Sequence, residues 1–363
     1  MRKSPARVLR SNLCKCIKAV KMMCAKKGNA SVDVDKKELL LHLEENGYQG
    51  RVVSIQHLTE LQEEIKERFN QGLFDEEFYR LRLAFFDFKV PETLPDAKSI
   101  IVVAVPRPQA QATFIFEGRT MALILPPTYV AYQQTTDRVA EFLTRILKEK
   151  GYNIARTALP LKLLAVRSGL AQYGRNNISY VPGMGSFFQL VAVYSDLPCR
   201  EDTWREARIM EQCNNCQACR RSCPTGAISS DRFLLHAERC IVFHNEKKGD
   251  APFPSWIDPS WHNCLYGCLH CQRVCPEDKG FLNWIVEKEE FSAEETELLL
   301  RGKSLDHLPK ATLQKLKNLD LADPDSLDNL PRNLRVFFGN KMRPIDEYQH
   351  LLLSNRHQTE AHA

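Results

Sequence analysis

No stretch of this 363-residue chain comes near the roughly 20 consecutive apolar residues that a membrane-spanning helix needs, and its longest purely aliphatic run is Ile100 to Val105. No apolar segment follows the basic N-terminus as a signal peptide would require, so the expectation is a cytoplasmic protein without membrane contact. Acidic residues are missing from positions 1 to 30, where nine Lys and Arg gather, which leaves the body with 41 basic and 45 acidic residues. The formal charge of +5 therefore belongs to the tail, and the body lacks a global electrostatic footprint for nucleic acid. Cysteine is abundant: nine of the 13 crowd between Cys213 and Cys275. Disulfide scaffolds of such density belong to small secreted domains, and a reducing compartment suits this chain better.

Those nine cysteines carry the strongest motif. Cys213-x-x-Cys216-x-x-Cys219-x-x-x-Cys223-Pro224 is answered by Gly267-Cys268-x-x-Cys271-x-x-x-Cys275-Pro276. Three thiolates at intervals of three residues wrap one face of an iron–sulfur cube, and the fourth, followed by proline, points to a neighbouring cube. Tetrahedral zinc sites use well-separated C-x-x-C pairs instead. Two 4Fe-4S clusters are expected. Cys264 lies four residues before Cys268 rather than three, which spoils a wrap, so Cys240 is the better eighth ligand. The expected sets are Cys213, Cys216, Cys219 and Cys275 for one cluster, and Cys223, Cys240, Cys268 and Cys271 for the other, with Cys264 and Cys199 as bystanders.

The hydrophobic pattern divides the chain into a basic extension (1–34), an upstream layer (35–200), the two-cluster domain (201–282), a helical region (283–340) and a disordered tail (341–363). Leucines between Lys36 and Asn46 share one face and Gly47 stops them, which predicts a helix. Ser99 to Val105 and Phe187 to Tyr194 read as strands buried on both faces. Helices are expected over 136–150 and over Pro160 to Ser168. Ser292-x-x-Glu295 is a capping box that opens a helix towards Gly302, and two amphipathic segments follow at Leu313 to Leu319 and Leu327 to Phe338. Alternating strands and helices indicate an α/β or α+β layer. The expected class is α+β, with an upstream sandwich, a ferredoxin-like two-cluster domain and short helical hairpins.

Two clusters form a one-electron wire, and a carrier needs only the cysteine domain, so the 200 residues ahead of it are expected to hold an acceptor. The run Cys213-Asn-Asn-Cys-Gln-Ala-Cys-Arg-Arg-Ser-Cys-Pro-Thr-Gly-Ala-Ile228, with Glu238-Arg-Cys240-Ile and Tyr266-Gly-Cys-Leu-His-Cys-Gln-Arg-Val-Cys-Pro276, resembles the double-cluster domain of epoxyqueuosine reductases, relatives of the reductive dehalogenases. Ser168-Gly-Leu-Ala-Gln-Tyr-Gly-Arg-Asn-Asn177 is similar to that family's A-G-L-G-W-I-G-K-N segment, and Gly185-Ser-Phe-Phe-Gln-Leu190 to its G-S-W-F-F-L strand.

The resemblance implies a base-off cobalamin in the upstream layer, reduced through the clusters. Gly169, Gly174, Arg175, Asn176, Gly185 and Ser186 are its expected contacts, the glycines because backbone without Cβ approaches a flat macrocycle closely. No D-x-H-x-x-G motif occurs, so a histidine-ligated cobalamin is not suggested. The family's proton donor is the aspartate of an R-D-Y-H segment; the matching stretch here, Tyr129-Val-Ala-Tyr-Gln-Gln-Thr-Thr-Asp137, has no carboxylate in register. Tyr132 or Tyr129 is then the expected general acid. A low-potential donor such as a ferredoxin or flavodoxin is the implied partner. The resemblance names tRNA as substrate, while the missing aspartate and the acidic body weigh against it and keep a small organic substrate in play. An electron carrier serving a separate corrinoid enzyme is the alternative.

Overall fold

The computed structural model describes residues 31–302 and 307–339. Cys14, Cys16 and Cys24, most of the expected basic extension and all of the expected C-terminal tail lie outside the described residues. Helix α1 (Ser31–Glu45) begins within the span expected for the extension and leads into β1 (Gln49–Ser54) through Gly47, whose φ of 76° a glycine adopts without strain. Then come α2 (Leu58–Asn70), α3 (Glu76–Arg82), β2 (Ser99–Pro106), β3 (Gln109–Phe116), β4 (Arg119–Leu125), α4 (Tyr132–Lys148), β5 (Ile154–Arg156), α5 (Leu161–Arg167), β6 (Gln172–Tyr173), β7 (Ser179–Tyr180) and β8 (Phe188–Ser195). The cysteine region holds only short turns and α6 (Ala218–Ser222), α7 (Ile241–Asn245) and α8 (His270–Arg273). The chain closes with β9 (Ile285–Phe291), α9 (Ala293–Leu300), α10 (Lys310–Asn318) and α11 (Pro324–Phe338).

The first sheet has the order β1-β2-β8-β5. Every pairing in it is antiparallel, so of the two layer types compatible with the sequence the α+β one is observed. The unbroken apolar runs of β2 and β8 still make sense, because helices cover both faces. Ile100, Val102 and Ala104 pack with α2 and α5 on one side. Ile101, Val103 and Val105 pack with Leu39 and Leu43 of α1 and with Val139, Leu143 and Leu147 of α4 on the other. Successive strand residues point to opposite faces, so each alternate set meets its own helical layer.

A second sheet, β4-β3-β9, joins residues 109–125 to 285–291. Glu117 and Gly118 turn the β3–β4 hairpin with φ of 48° and 72°, the pair of positive values that a two-residue hairpin turn requires. β9 runs parallel to β3 and brings Phe291 onto Phe114, their rings stacked with centroids 4.7 Å apart. Helices α9 to α11 cover this sheet through Leu299, Leu316, Leu330 and Leu334, and Leu265 and Tyr266 of the cysteine region enter the same core. The linker leaving the first sheet is pinned by His57, whose ring stacks on Trp204 at 4.2 Å and bridges Glu60 and Asp202.

Candidate functional site

The cysteines gather in two groups where loops from distant parts of the chain meet. Cys213 ends a single 3-10 turn, Cys219 sits in the short α6, and Cys275 precedes Pro276 at the start of another turn. With Cys216 these thiols line a cavity of about 70 Å³, whose far wall is Gly174, Arg175, Asn176 and Tyr180 of the upstream layer. The second group forms around Cys240, at the N-cap of α7. Cys240 neighbours Cys268 and Cys223, and Cys271 neighbours Cys268, Cys240 and Cys223. Cys271 also neighbours Cys219 of the first group, so the two groups adjoin.

Burial pushes the Cys240 thiol up to about 12 and the Cys268 thiol up to about 11, with neighbouring thiols adding to both. Thiolates gathered this closely without a counter-charge are costly. Iron in a cube supplies that charge, and a foursome around a small cavity is the donor set that such a group takes. Among the described residues no three Cys, His, Asp or Glu converge as a site for a single metal ion would require. Cys264 is buried beside Cys268, whereas Cys199 lies against β1, with its thiol directed at the Val52 carbonyl.

Beside the second group opens a larger cavity of about 590 Å³. Phe74, Phe78 and Phe86 contribute an aromatic wall, β8 contributes Val191 to Val193, and Tyr132 and Lys162 add polar groups. Two contacts tie this cavity to the cysteines. Phe78 packs edge-on against Phe243 of α7 at 5.6 Å, three residues beyond Cys240. Lys162 is exposed on the open cavity; the protein crowded around it lowers its ammonium pKa, while the nearby Cys240 and Glu246 pull the other way. Glu246 accepts a hydrogen bond from the Tyr129 hydroxyl and pairs with Arg82 at 3.2 Å. Burial raises the Glu246 carboxyl and, with the adjacent carboxylate, raises the Tyr129 phenol well above its ordinary range.

The residues expected to contact a corrinoid do not meet at this cavity. Gly174, Arg175 and Asn176 stand on the first cysteine cavity. Gly169 backs onto the Thr203 carbonyl, where a Cβ would lie 3.2 Å away. Gly185 and Ser186 pack on the buried Asp278, which accepts from the Ser186 amide and hydroxyl, each at 2.7 Å. Of the two tyrosines, Tyr132 lies on the cavity and Tyr129 is not among its lining residues. Asp137 sits on an exposed face and pairs with Arg156 at the cavity. Sequence reasoning missed Lys162 and the aromatic wall; the crowding of Phe74, Phe78, Phe85, Phe86 and Phe88 into one short segment was the available signal.

Two adjoining cysteine groups beside a roomy cavity in an α+β frame are the arrangement that a double-cluster iron–sulfur domain requires. Residues 212–278 match the family described as the 4Fe-4S double cluster binding domain. Curated proteins similar to the chain include epoxyqueuosine reductases. The one from Bacillus subtilis is 30% identical over 198 residues, covering 52% of this chain and 49% of the relative, so the chain spans about half the length of the curated relatives it matches. Among solved structures, a selenomethionine-labelled epoxyqueuosine reductase superposes with a TM-score of 0.61 at 21% identity, covering 84% of this chain and 81% of the other. Another epoxyqueuosine reductase, solved with a tRNA-Tyr epoxyqueuosine-modified stem loop, gives a TM-score of 0.57 at 20% identity over the same shares. These likenesses establish the shared fold. No helix among the described residues is long and apolar enough to cross a membrane.

Proposed function

We propose that this chain is an iron–sulfur reductase of the epoxyqueuosine reductase kind, in which two 4Fe-4S clusters deliver electrons to a corrinoid held in the 590 Å³ cavity. The observation that carries the reading is the position of that cavity, one aromatic contact from the α7 segment that Cys240 opens. Its volume lies within the range of roughly 300–1,000 Å³ typical of small-molecule sites, and its mainly apolar wall suits a large organic cofactor. A bound corrinoid would supply low-valent cobalt chemistry, and the clusters one-electron transfer.

The chain's own residues bind, exclude water and hold protons. Phe74, Phe78 and Phe86 shield the cavity, and Lys162 places a cation beside it. Tyr132, partly exposed at the cavity, is the general acid in this reading: a phenol keeps its proton at neutral pH, and partial desolvation raises it further. The substrate we infer is a nucleoside carried on tRNA, as in the structurally similar reductase solved with a modified stem loop.

The test is anaerobic turnover of an epoxyqueuosine-bearing stem loop by the reconstituted protein. Wild type is expected to reduce it, and Tyr132→Phe to be slower by about 100-fold, within the usual contribution of a positioned acid. Full cofactor loading without turnover of the stem loop would overturn the substrate assignment.

A further inference from the structure

We infer that Tyr180 donates a hydrogen bond to the sulfur of Cys275 and thereby raises the reduction potential of the first cluster, an inference that rests on the reading that Cys213, Cys216, Cys219 and Cys275 hold one. Tyr180 and these four cysteines line the same small cavity, although the tyrosine belongs to the upstream layer and lies 95 positions before Cys275. Tyr180 is 3% exposed, as is Asn176 beneath it. The Asn176 side-chain amide donates to the Tyr180 hydroxyl oxygen at 2.8 Å. That bond occupies a lone pair of the phenol and leaves its proton to be given away. The hydroxyl faces both the Cys275 sulfur and the buried Asp278 carboxylate, which compete for its proton. Asp278 is already served by the amide and hydroxyl of Ser186.

The surrounding hairpin is built to hold this arrangement. A Cβ on Gly174 would lie 2.5 Å from both Asn176 Oδ1 and Tyr180 Cε2, so only glycine lets the two side chains pack there. Asn176 Oδ1 accepts from the Ile178 amide at 3.3 Å, which fixes the amide's orientation. One residue along, Arg175 Nη2 donates to the Cys213 carbonyl at 2.7 Å and ties the hairpin to the first ligand loop. A hydrogen bond to a cluster thiolate favours the more negatively charged reduced state, so its loss lowers the potential.

The experiment is a redox titration of the reconstituted protein followed by electron paramagnetic resonance, with iron counted in parallel. Tyr180→Phe keeps the ring and removes the proton. The expected result is unchanged iron, one cluster titrating at a lower potential and the other where it was; two unmoved potentials would overturn the inference. Should Tyr180→Phe lose iron, Asn176→Ser, which keeps the hydroxyl but frees it, must give a smaller shift in the same direction, and no shift there would also overturn it. Wild type that takes up only about four irons would instead sink the two-cluster reading beneath it.

Discussion

His262 is buried against the Phe253 ring, with centroids 4.6 Å apart. Burial first, and then the nearby Arg332 cation, hold its pKa down to about 4 from an ordinary 6.5. The unfolded chain takes up a proton below pH 6.5 that the folded chain refuses until about pH 4. Its stabilising contribution is therefore complete above pH 6.5 and is lost as pH falls through that window. Between pH 7 and 5 the loss is about 2 kcal/mol. Asp278, raised to about 6 by burial, acts with the opposite sign in the same window, since its protonated form is favoured in the fold. The measurement is thus the difference in urea stability between wild type and His262→Phe at the two pH values: the variant should lose less on acidification, and equal losses would contradict the assignment. Among the cysteines, Cys240→Ser is expected to take up about half the iron and Cys264→Ser nearly all of it. The reverse pattern would exchange their roles. The ligand sets were proposed from the sequence because ligand spacing is local chemistry. The placement of Tyr180 on the wall of the first cysteine cavity was not legible there, because it joins loops that only the folded chain brings together.

At the scale of elements, Ser292 and Glu295 cap α9 reciprocally, side chain to backbone in both directions. Ser292→Ala should cost about 1 kcal/mol in thermal or chemical unfolding, and Ser292→Asp should restore most of it. This helix, β2, β8 and α4 were readable because capping, β-branched runs and a helical stripe are written in consecutive residues. β9 was not. Its Ile285–Phe291 segment is exposed apart from Phe291 and the half-buried Glu289, so it shows no apolar alternation, and its register comes from β3, some 170 residues earlier. The antiparallel pairing of the first sheet escaped for a related reason. Runs buried on both faces suggest parallel strands, but here α1 and α4 on one side and α2 and α5 on the other give the same burial to an antiparallel sheet. Glycines at 169 and 174 signal close approach without naming what approaches. In the fold the neighbours are Thr203, Asn176 and Tyr180.

At the scale of the whole molecule, the sheet layer, the cysteine loops and the C-terminal helices share their cores, and α11 holds the α7 region in place. Arg332 of α11 is 9% exposed and donates to the carbonyls of His244, Asn245, Lys247, Lys248 and Ala251. That clamp keeps Glu246 and the loop after Cys240 fixed between the second cysteine group and the large cavity. The central claim is that clusters and cavity are separate sites filled by separate cofactors, and it is tested most directly by counting metals in two proteins. Wild type and Ala158→Trp, which fills the cavity from β5's outgoing loop, would be reconstituted anaerobically with iron, sulfide and cobalamin, desalted, and analysed for iron and cobalt, with electron paramagnetic resonance of any Co(II). The account predicts about eight irons and about one base-off cobalt in wild type, and the same iron with little cobalt in the variant. Eight irons with no cobalt in wild type would contradict it and leave an electron carrier for a separate corrinoid enzyme.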